Sequence, residues 1–116
     1  MQELLQKQEI RDVMKKQIIL ESLSDKYCRQ ILKSTIKKPK SAMMISEEEN
    51  ICLSTVYRKL RRLHDGKLLA ISGSFNRDKK KYFLYMSKIK DVTIHCNLEE
   101  ITIECVLNNV KQEDIN

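Results

Sequence analysis

The chain has 116 residues, of which 41% are hydrophobic and 33% are charged, and it contains only two glycines and one proline. This composition excludes a disordered tail, and the length fits one compact domain with a limited core. No apolar run reaches the length of a membrane span and the first residues lack a signal-peptide pattern. We therefore expect a cytoplasmic protein with no membrane contact.

Charge is distributed unevenly along the chain. The formal net charge is +6, but residues 24–90 carry seventeen basic and six acidic side chains, a net charge of +11. Residues 1–23 are neutral, and residues 91–116 have a net charge of −5. The middle segment is therefore expected to bind a polyanion, whereas the acidic end is expected to avoid phosphate.

Residues 3 to about 20 are predicted to form a first helix, because apolar side chains line one broad side and helix-forming Glu, Gln and Lys fill the rest. With neutral charge and an apolar stripe, this helix is a candidate dimer interface. Packing onto its own domain is the alternative.

Two further helices are predicted before residue 50. Ser24 is a candidate N-cap for a helix that runs to about Ile36 and is stopped by Lys37, Lys38 and Pro39. Ser41 is predicted to cap a shorter third helix. Asn50 then stands where a tight turn needs a positive φ, and Ile51 is expected to fill the corner. With the helix that follows, this pattern predicts a helix-turn-helix.

That next helix carries the most informative stretch, LSTVYRKLRRLHDGKLL at 53–69. Val56, Leu60 and Leu63 recur at the i, i+4, i+7 spacing of an amphipathic helix, and Gly66 is expected to end it in the left-handed conformation. The polar and basic side chains of the helix are Ser54, Thr55, Tyr57, Arg58, Arg61 and Arg62. Such a face suits the major groove of DNA, and a solvated surface helix is the alternative reading.

Two β-hairpins are predicted after the helices. LLAIS and KYFLYM are β-prone runs separated by a turn at Gly73, Asn76, Arg77 and Asp78, with a basic tip made of Arg77, Lys79, Lys80 and Lys81. A second hairpin is predicted from alternating apolar residues, namely Val92, Ile94, Cys96, Ile101, Ile103 and Cys105. We interpret it as a packing, dimer or ligand-facing element, and expect a frayed tail from about Asn108.

The four cysteines form no CxxC pair and there are only two histidines, so the sequence predicts no structural zinc, no metal site and no cofactor. Each cysteine is expected to be reduced and buried, with Cys96 and Cys105 as candidate cross-strand neighbours. No nucleophile–base pair, carboxylate dyad or phosphate-binding glycine loop is present, so we do not expect an enzyme. The adjacent His64 and Asp65 are interpreted as a helix-end detail.

The segments LSDKYCRQIL (23–32), KPKSAMMISEEENICLSTVYRKLRRLHDGKLL (38–69) and KKYFLY (80–85) resemble winged helix-turn-helix regulators, most closely the archaeal ArsR-like group. The tail DVTIHCN…ITIECVLN resembles the hairpin that some of these proteins carry after the wing. The resemblance implies a dimeric transcription factor whose third domain helix reads the major groove. Metal-sensing members carry a Cys-x-Cys motif near that helix, whereas this chain has only Cys52, which also replaces the usual Ser-like N-cap.

Together these observations predict an α+β fold, a winged helix-turn-helix with an N-terminal helix and a C-terminal β-hairpin. The expected divisions are an N-terminal helix at 1–22, a DNA-binding domain at 23–88, a hairpin at 89–107 and a frayed tail at 108–116. The expected function is a homodimeric transcriptional regulator that binds double-stranded DNA. A winged-helix module for protein–protein or RNA contacts in a larger assembly is the alternative.

Overall fold

The computed structural model describes residues 7–109, and within that range it confirms the α+β class with four helices and two antiparallel sheets. Three strands pair in the order β1–β5–β4, and β2 pairs with β3 in a separate hairpin. In chain order the elements are β1 (Lys7–Ile10), α1 (Val13–Ser24), α2 (Lys26–Ser34), α3 (Ala42–Glu49), α4 (Leu53–Asp65), β2 (Leu69–Phe75), β3 (Lys81–Ser87), β4 (Ile89–Cys96) and β5 (Ile101–Leu107).

One hydrophobic core joins the helices to the three-stranded sheet. Ile19 of α1, Ile31 of α2, Ile45 of α3 and Leu60 of α4 are buried in the same cluster as Ile103 of β5. Each helix thus contributes buried apolar side chains to one shared core, as the hydrophobic effect requires. The N-terminal helix packs on its own domain through Ile19, and the C-terminal hairpin is a packing element of the same core.

The first helix begins later than predicted. Residues 7–10 form β1, which pairs antiparallel with β5 and places Ile10 opposite Ile103. Helix α1 begins only after Asp12, whose side chain accepts hydrogen bonds from two amides of its first turn. The prediction of a helix over residues 3–20 is therefore wrong for residues 7–12, because the edge of β5 offers backbone partners that local propensity cannot reveal. Residues 1–6 lie outside the described range.

The ends of α2 differ from the prediction, whereas the start of α3 agrees with it. Asp25, not Ser24, caps α2, because its carboxylate accepts hydrogen bonds from two α2 amides at 2.8 and 3.3 Å. Ser24 is the last residue of α1. The helix ends at Ser34, two residues before the predicted end. Ser41 caps α3 as predicted, and its hydroxyl accepts an amide hydrogen bond at 3.2 Å.

The turn between α3 and α4 confirms the sequence interpretation. Asn50 has a φ of 56°, in the left-handed region that asparagine tolerates, and Ile51 is 5% exposed. The hydroxyl of Ser46 donates a hydrogen bond to the carbonyl of Ile51 at 2.6 Å. Two short helices are thus joined by a tight turn that hydrogen bonds between Ser46 and Ile51 close.

Gly66 follows α4 for a reason other than the one predicted. Its φ is −80°, which any residue adopts, and the positive φ belongs instead to Lys67 at 62°. A Cβ at position 66 would lie 2.4 Å from Cγ2 of Ile18 in α1. The prediction of a left-handed glycine is wrong, and the missing side chain allows α1 to approach the end of α4.

The first hairpin is confirmed, with its turn shorter than predicted. Strands β2 and β3 pair from Leu69 opposite Ser87 to Phe75 opposite Lys81. Gly73 lies within β2 rather than in the turn. An isolated bridge joins Lys40, just before α3, to Tyr85 of β3, with two backbone hydrogen bonds of 3.0 and 2.8 Å. This bridge fixes the start of α3 beside the hairpin.

The second hairpin is also confirmed, but its apolar face is buried only in part. Ile103 is fully buried, whereas Ile94 opposite it is 41% exposed and Cys96 is exposed. Cys105 lies opposite Val92, so Cys96 and Cys105 are not cross-strand neighbours as predicted. The core reaches the end of the hairpin near Ile89 and leaves the opposite end in solvent.

The four thiols are free and fall into two classes. Cys28 and Cys105 are buried, as predicted, and burial raises the pKa of each thiol. Cys52 and Cys96 are exposed, so the prediction of burial is wrong for both. Cys52 lies at the start of a helix facing solvent, and Cys96 lies at the solvent end of its hairpin.

Asn108 is held in place rather than frayed. Its side-chain amide donates hydrogen bonds of 2.8 Å to the carbonyls of Ile36 and Ser87. The predicted fray is thus wrong for Asn108, because a single amide satisfies two backbone acceptors from separate segments. Residues 110–116 lie outside the described range.

Candidate nucleic-acid interface

Helix α4 presents a polar and basic face to solvent because its apolar stripe is fully used in the core. Val56, Leu60 and Leu63 are at most 2% exposed, as the sequence spacing predicted. The opposite side carries Ser54, Tyr57, Arg58 and Arg61, which are all exposed, and Thr55, which is half-buried. Cys52 precedes the helix and its side chain makes no cap hydrogen bond to the backbone, as expected for a residue in place of serine.

Two ion pairs connect α4 to the preceding helices. Lys59 pairs with Asp25, the cap of α2, and both side chains are more than four-fifths buried. The Lys59 ammonium is the main reason that the pKa of Asp25 is lowered. Arg62 lies 3.5 Å from a carboxylate oxygen of Glu21 in α1. Arg62, a predicted site residue, is thus directed towards α1.

Arg58 and Arg61 are the free guanidinium groups of this face. Among residues 7–109, no carboxylate lies within ion-pair distance of either. Arg58 makes only a long contact of 3.5 Å with the hydroxyl of Thr55. Unpaired guanidinium groups carry donors in a planar fork that matches guanine edges and phosphates.

The tip of the β2–β3 hairpin is a compact basic turn. The side-chain oxygen of Asn76 accepts hydrogen bonds from the amides of Asp78 and Lys80 at 2.9 and 3.0 Å. Lys79 has a φ of 61°. Arg77, Lys79 and Lys80 are exposed around this turn, as predicted. Because the Asn76 side chain bonds two amides of the loop, the backbone that carries these cations has a defined turn conformation.

Lys81 differs from the other three cations of the predicted tip. It begins β3, and its Cε lies where a Cβ on Gly73 would come within 2.9 Å. Its ammonium lies 5.3 Å from the centroid of the Phe83 ring, within cation–π distance. Lys81 therefore folds back over the hairpin and interacts with an aromatic ring.

A cleft of about 460 Å³ lies between the start of α3, helix α4 and strand β3. Tyr57 lines it from α4, Met43 from α3, and Lys81 and Phe83 from β3. A second cleft of about 460 Å³ lies along α4, between Arg61 and strand β2. Tyr57 and Tyr85 line both clefts, and burial raises the pKa of Tyr85, with a smaller effect from Tyr57. The structure thus brings the predicted face of α4 beside the predicted hairpin.

Sequence reasoning missed the aromatic part of this surface. Met43, Tyr82 and Phe83 are 53%, 38% and 49% exposed and line the first cleft. A signal was present in the run KYFLYM, where apolar residues occupy both alternating positions of a strand. A hairpin with one face in water should alternate, so exposed rings at two neighbouring positions indicate that neither face of this part of the hairpin is used in the core.

A second basic surface was also missed. A groove of about 690 Å³ between α2 and α3 is lined by Lys33, Lys37, Lys38 and Lys40, with Glu49 at its edge. Lys40 is partly neutralised, because its ammonium lies 2.7 Å from Glu48. The sequence interpretation used Lys37 and Lys38 only as a helix stop. This surface adds positive charge outside α4 and the hairpin.

Residues 7–109 contain no group of three or more His, Cys, Asp or Glu side chains that could hold a metal ion, and no helix long and apolar enough to cross a membrane. The exposed Cys52 thiol has a lowered pKa, mainly because Ser54 lies 3.3 Å from its sulfur.

No protein-family model, curated protein or solved structure matches the chain.

Proposed function

We propose that the chain is a DNA-binding transcriptional regulator that reads duplex DNA with α4 in the major groove and holds phosphates with the β2–β3 hairpin. The observation that carries this proposal is the shared cleft lined by Tyr57 of α4 and Lys81 of β3. Because the two elements are adjacent, unpaired Arg58 and Arg61 and the basic hairpin tip can meet one polyanion together.

The proposed architecture is a winged helix-turn-helix of the archaeal ArsR-like kind, acting in the cytoplasm. Its support is the order α2, α3, tight turn, α4 and hairpin, together with the Lys40–Tyr85 bridge that adds one paired residue to β3. Metal sensing is not part of the proposal, because the Cys-x-Cys motif of the metal-sensing members is missing and only Cys52 stands near α4.

The proposed roles separate base reading from phosphate binding. Arg58 and Arg61 would meet guanine edges, with Ser54, Thr55 and Tyr57 as further base contacts. Arg77, Lys79 and Lys80 would bind phosphates from the hairpin tip. Arg62 has a smaller expected part because it pairs with Glu21, and Lys81 contacts the Phe83 ring.

The test uses a selected binding site, a scrambled duplex and a salt series. Arg58→Ala should cost about 1–3 kcal/mol on the selected site and much less on the scrambled duplex. Lys80→Ala should weaken both duplexes equally and, where it contacts one phosphate, reduce the salt slope by about 0.9. Arg62→Ala is the matched control, because it removes the same charge from the same helix at a position already paired with an acid.

Equal losses on both duplexes for Arg58→Ala would contradict base reading by α4. Affinity that is insensitive to salt, with no preference for duplex DNA, would favour instead a module for protein–protein or RNA contacts.

We also propose a homodimer, supported by Val13 and Met14 at the start of α1, which are 76% and 72% exposed. Removing residues 1–20 is not a clean test, because it would delete β1 and the buried Ile19. Met14→Lys should instead shift sedimentation from dimer to monomer. Leu98→Lys, at a residue 94% exposed in the β4–β5 turn, is the control. Dissociation by Leu98→Lys alone would place the interface at that hairpin tip.

A further inference from the structure

The cleft between α3, α4 and β3 exposes more aromatic surface than a binding face made only for phosphates requires. Tyr57, Tyr82 and Phe83 are 54%, 38% and 49% exposed, and Met43 beside them is 53% exposed. Large apolar side chains scattered singly on a surface are ordinary, but four that line one cleft form a patch. At about 460 Å³ the cleft falls within the range of small-ligand sites, about 300–1,000 Å³.

Two of the polar groups at this cleft are occupied by the protein itself. The hydroxyl of Ser41 caps α3, and the side-chain oxygen of Asn76 holds the hairpin turn. The walls also carry the rings of Tyr57 and Phe83, whose faces and edges can stack on a flat group. An occupant would be held by stacking, which every nucleobase can provide, rather than by recognition of one base.

The positive charge around the cleft favours a ligand that carries a negatively charged group. The ammonium of Lys81 lies over Phe83 at the wall, and Arg77, Lys79 and Lys80 surround the adjacent turn with Asp78 as the one acid between them. A flat group joined to a phosphate backbone satisfies both the rings and the cations. A neutral apolar ligand would leave the cations unused.

We propose that this aromatic cleft binds a single unstacked nucleobase of the DNA held by α4 and the hairpin. The inference rests on the proposed function, because the duplex must first be bound by the neighbouring basic surface. It predicts a preference that phosphate contacts alone do not give. DNA with an unpaired base should bind more tightly than the matched duplex, because no base pair has to be broken before the base enters the cleft.

The test compares one matched 20-base-pair duplex with the same duplex carrying a single bulged 2-aminopurine. The chain should bind the bulged duplex about 5- to 150-fold more tightly, the factor that corresponds to about 1–3 kcal/mol for one stacked base. The fluorescence of 2-aminopurine should fall on binding, because the base stacks on the rings. Phe83→Ala and Tyr57→Ala should each remove most of the preference and of the quenching, whereas Tyr57→Phe should keep both.

Phe75→Ala is the matched control. Phe75 is an aromatic residue on the same hairpin and is 68% exposed, but it does not line the cleft. Loss of the preference with Phe75→Ala to the same extent as with Phe83→Ala would overturn the proposal, because any exposed ring would then serve. Both phenylalanines are exposed, so neither variant opens a cavity in the core, and melting curves check that each variant is folded.

The remaining outcomes separate this inference from the proposed function. Equal affinity for matched and bulged duplexes would overturn the nucleobase cleft and leave duplex binding in place. No binding to either duplex would overturn the proposed function as well. A dimer that becomes monomeric on Phe83→Ala would show that a second copy of the chain covers the cleft, which also overturns the inference.

Discussion

Replacing Gly66 with alanine tests how α1 is seated on the end of α4. The added Cβ would lie 2.4 Å from Cγ2 of Ile18, whereas unstrained carbon contacts are about 3.5–4.0 Å. The helix must therefore move by about 1 Å, or Ile18 must leave a rotamer that is stiff in a β-branched side chain. Overpacking of this kind costs about 1–3 kcal/mol. Backbone strain adds nothing, because a φ of −80° is open to alanine.

A double-mutant cycle with Ile18→Ala isolates this contact. In that background Cγ2 is gone, and the remaining Cβ of residue 18 lies 3.7 Å away, an ordinary van der Waals distance. Gly66→Ala should then be neutral or stabilising by about 0.4–1 kcal/mol, because alanine restricts the unfolded chain. The coupling energy, which is the difference between the two costs, should be about 1–4 kcal/mol.

The four proteins of the cycle are compared by urea unfolding, followed by circular dichroism at 222 nm. Equal m-values are needed for the comparison to hold. If Gly66→Ala costs the same in both backgrounds, within about 0.5 kcal/mol, the contact with Ile18 is not the reason for the glycine. The requirement would then lie within α4 or in the turn at Lys67.

Three further predictions concern stability. Asp25→Asn keeps a capping side chain but removes the ion pair with Lys59. Because the pKa of Asp25 is lowered from 3.8, this contribution is present above pH 3.8 and is lost as the pH falls through the lowered pKa, so the difference from wild type in urea titrations should shrink below pH 3.8. Cys52→Ser should stabilise the chain by about 0.5–1 kcal/mol in thermal unfolding, because a hydroxyl can cap α4 where the thiol does not; an unchanged or lower melting temperature would contradict this. Asn108→Ala should cost about 1–3 kcal/mol, since two carbonyls lose a donor, and a cost near zero would mean that water replaces it.

Features set by local chemistry could be predicted from the sequence. The spacing of Val56, Leu60 and Leu63 identifies the buried side of α4, and Asn50 marks a turn that needs a positive φ. The strands of both hairpins also follow from their alternation and turn residues. In each case the determining residues lie within a few positions of one another, so a short window of sequence is enough to predict the feature.

Features set by distant partners could not be predicted. The KQEI segment has no strand pattern of its own and becomes β1 because β5 offers an edge about a hundred residues later. The role of Gly66 depends on Ile18, and the direction of Arg62 depends on Glu21. The aromatic cleft is lined by residues of three elements, and no sequence pattern indicates that Met43 and Phe83 lie in the same cleft.

The pairing of β1 with β5 has a consequence for how the chain reaches its fold. Lys7 is made early in synthesis but lies opposite Val106, so the central strand of the three-stranded sheet is completed only after every helix has emerged. Contacts so far apart in sequence require closure of a long loop, which slows folding. We expect α2 to α4 and the first hairpin to fold first on the ribosome. Until β5 is synthesised, the backbone groups of the β1 segment remain unpaired and hydrogen-bonded to water. A nascent chain stalled before β5 should therefore be protease-sensitive at residues 7–12 and protected in α4.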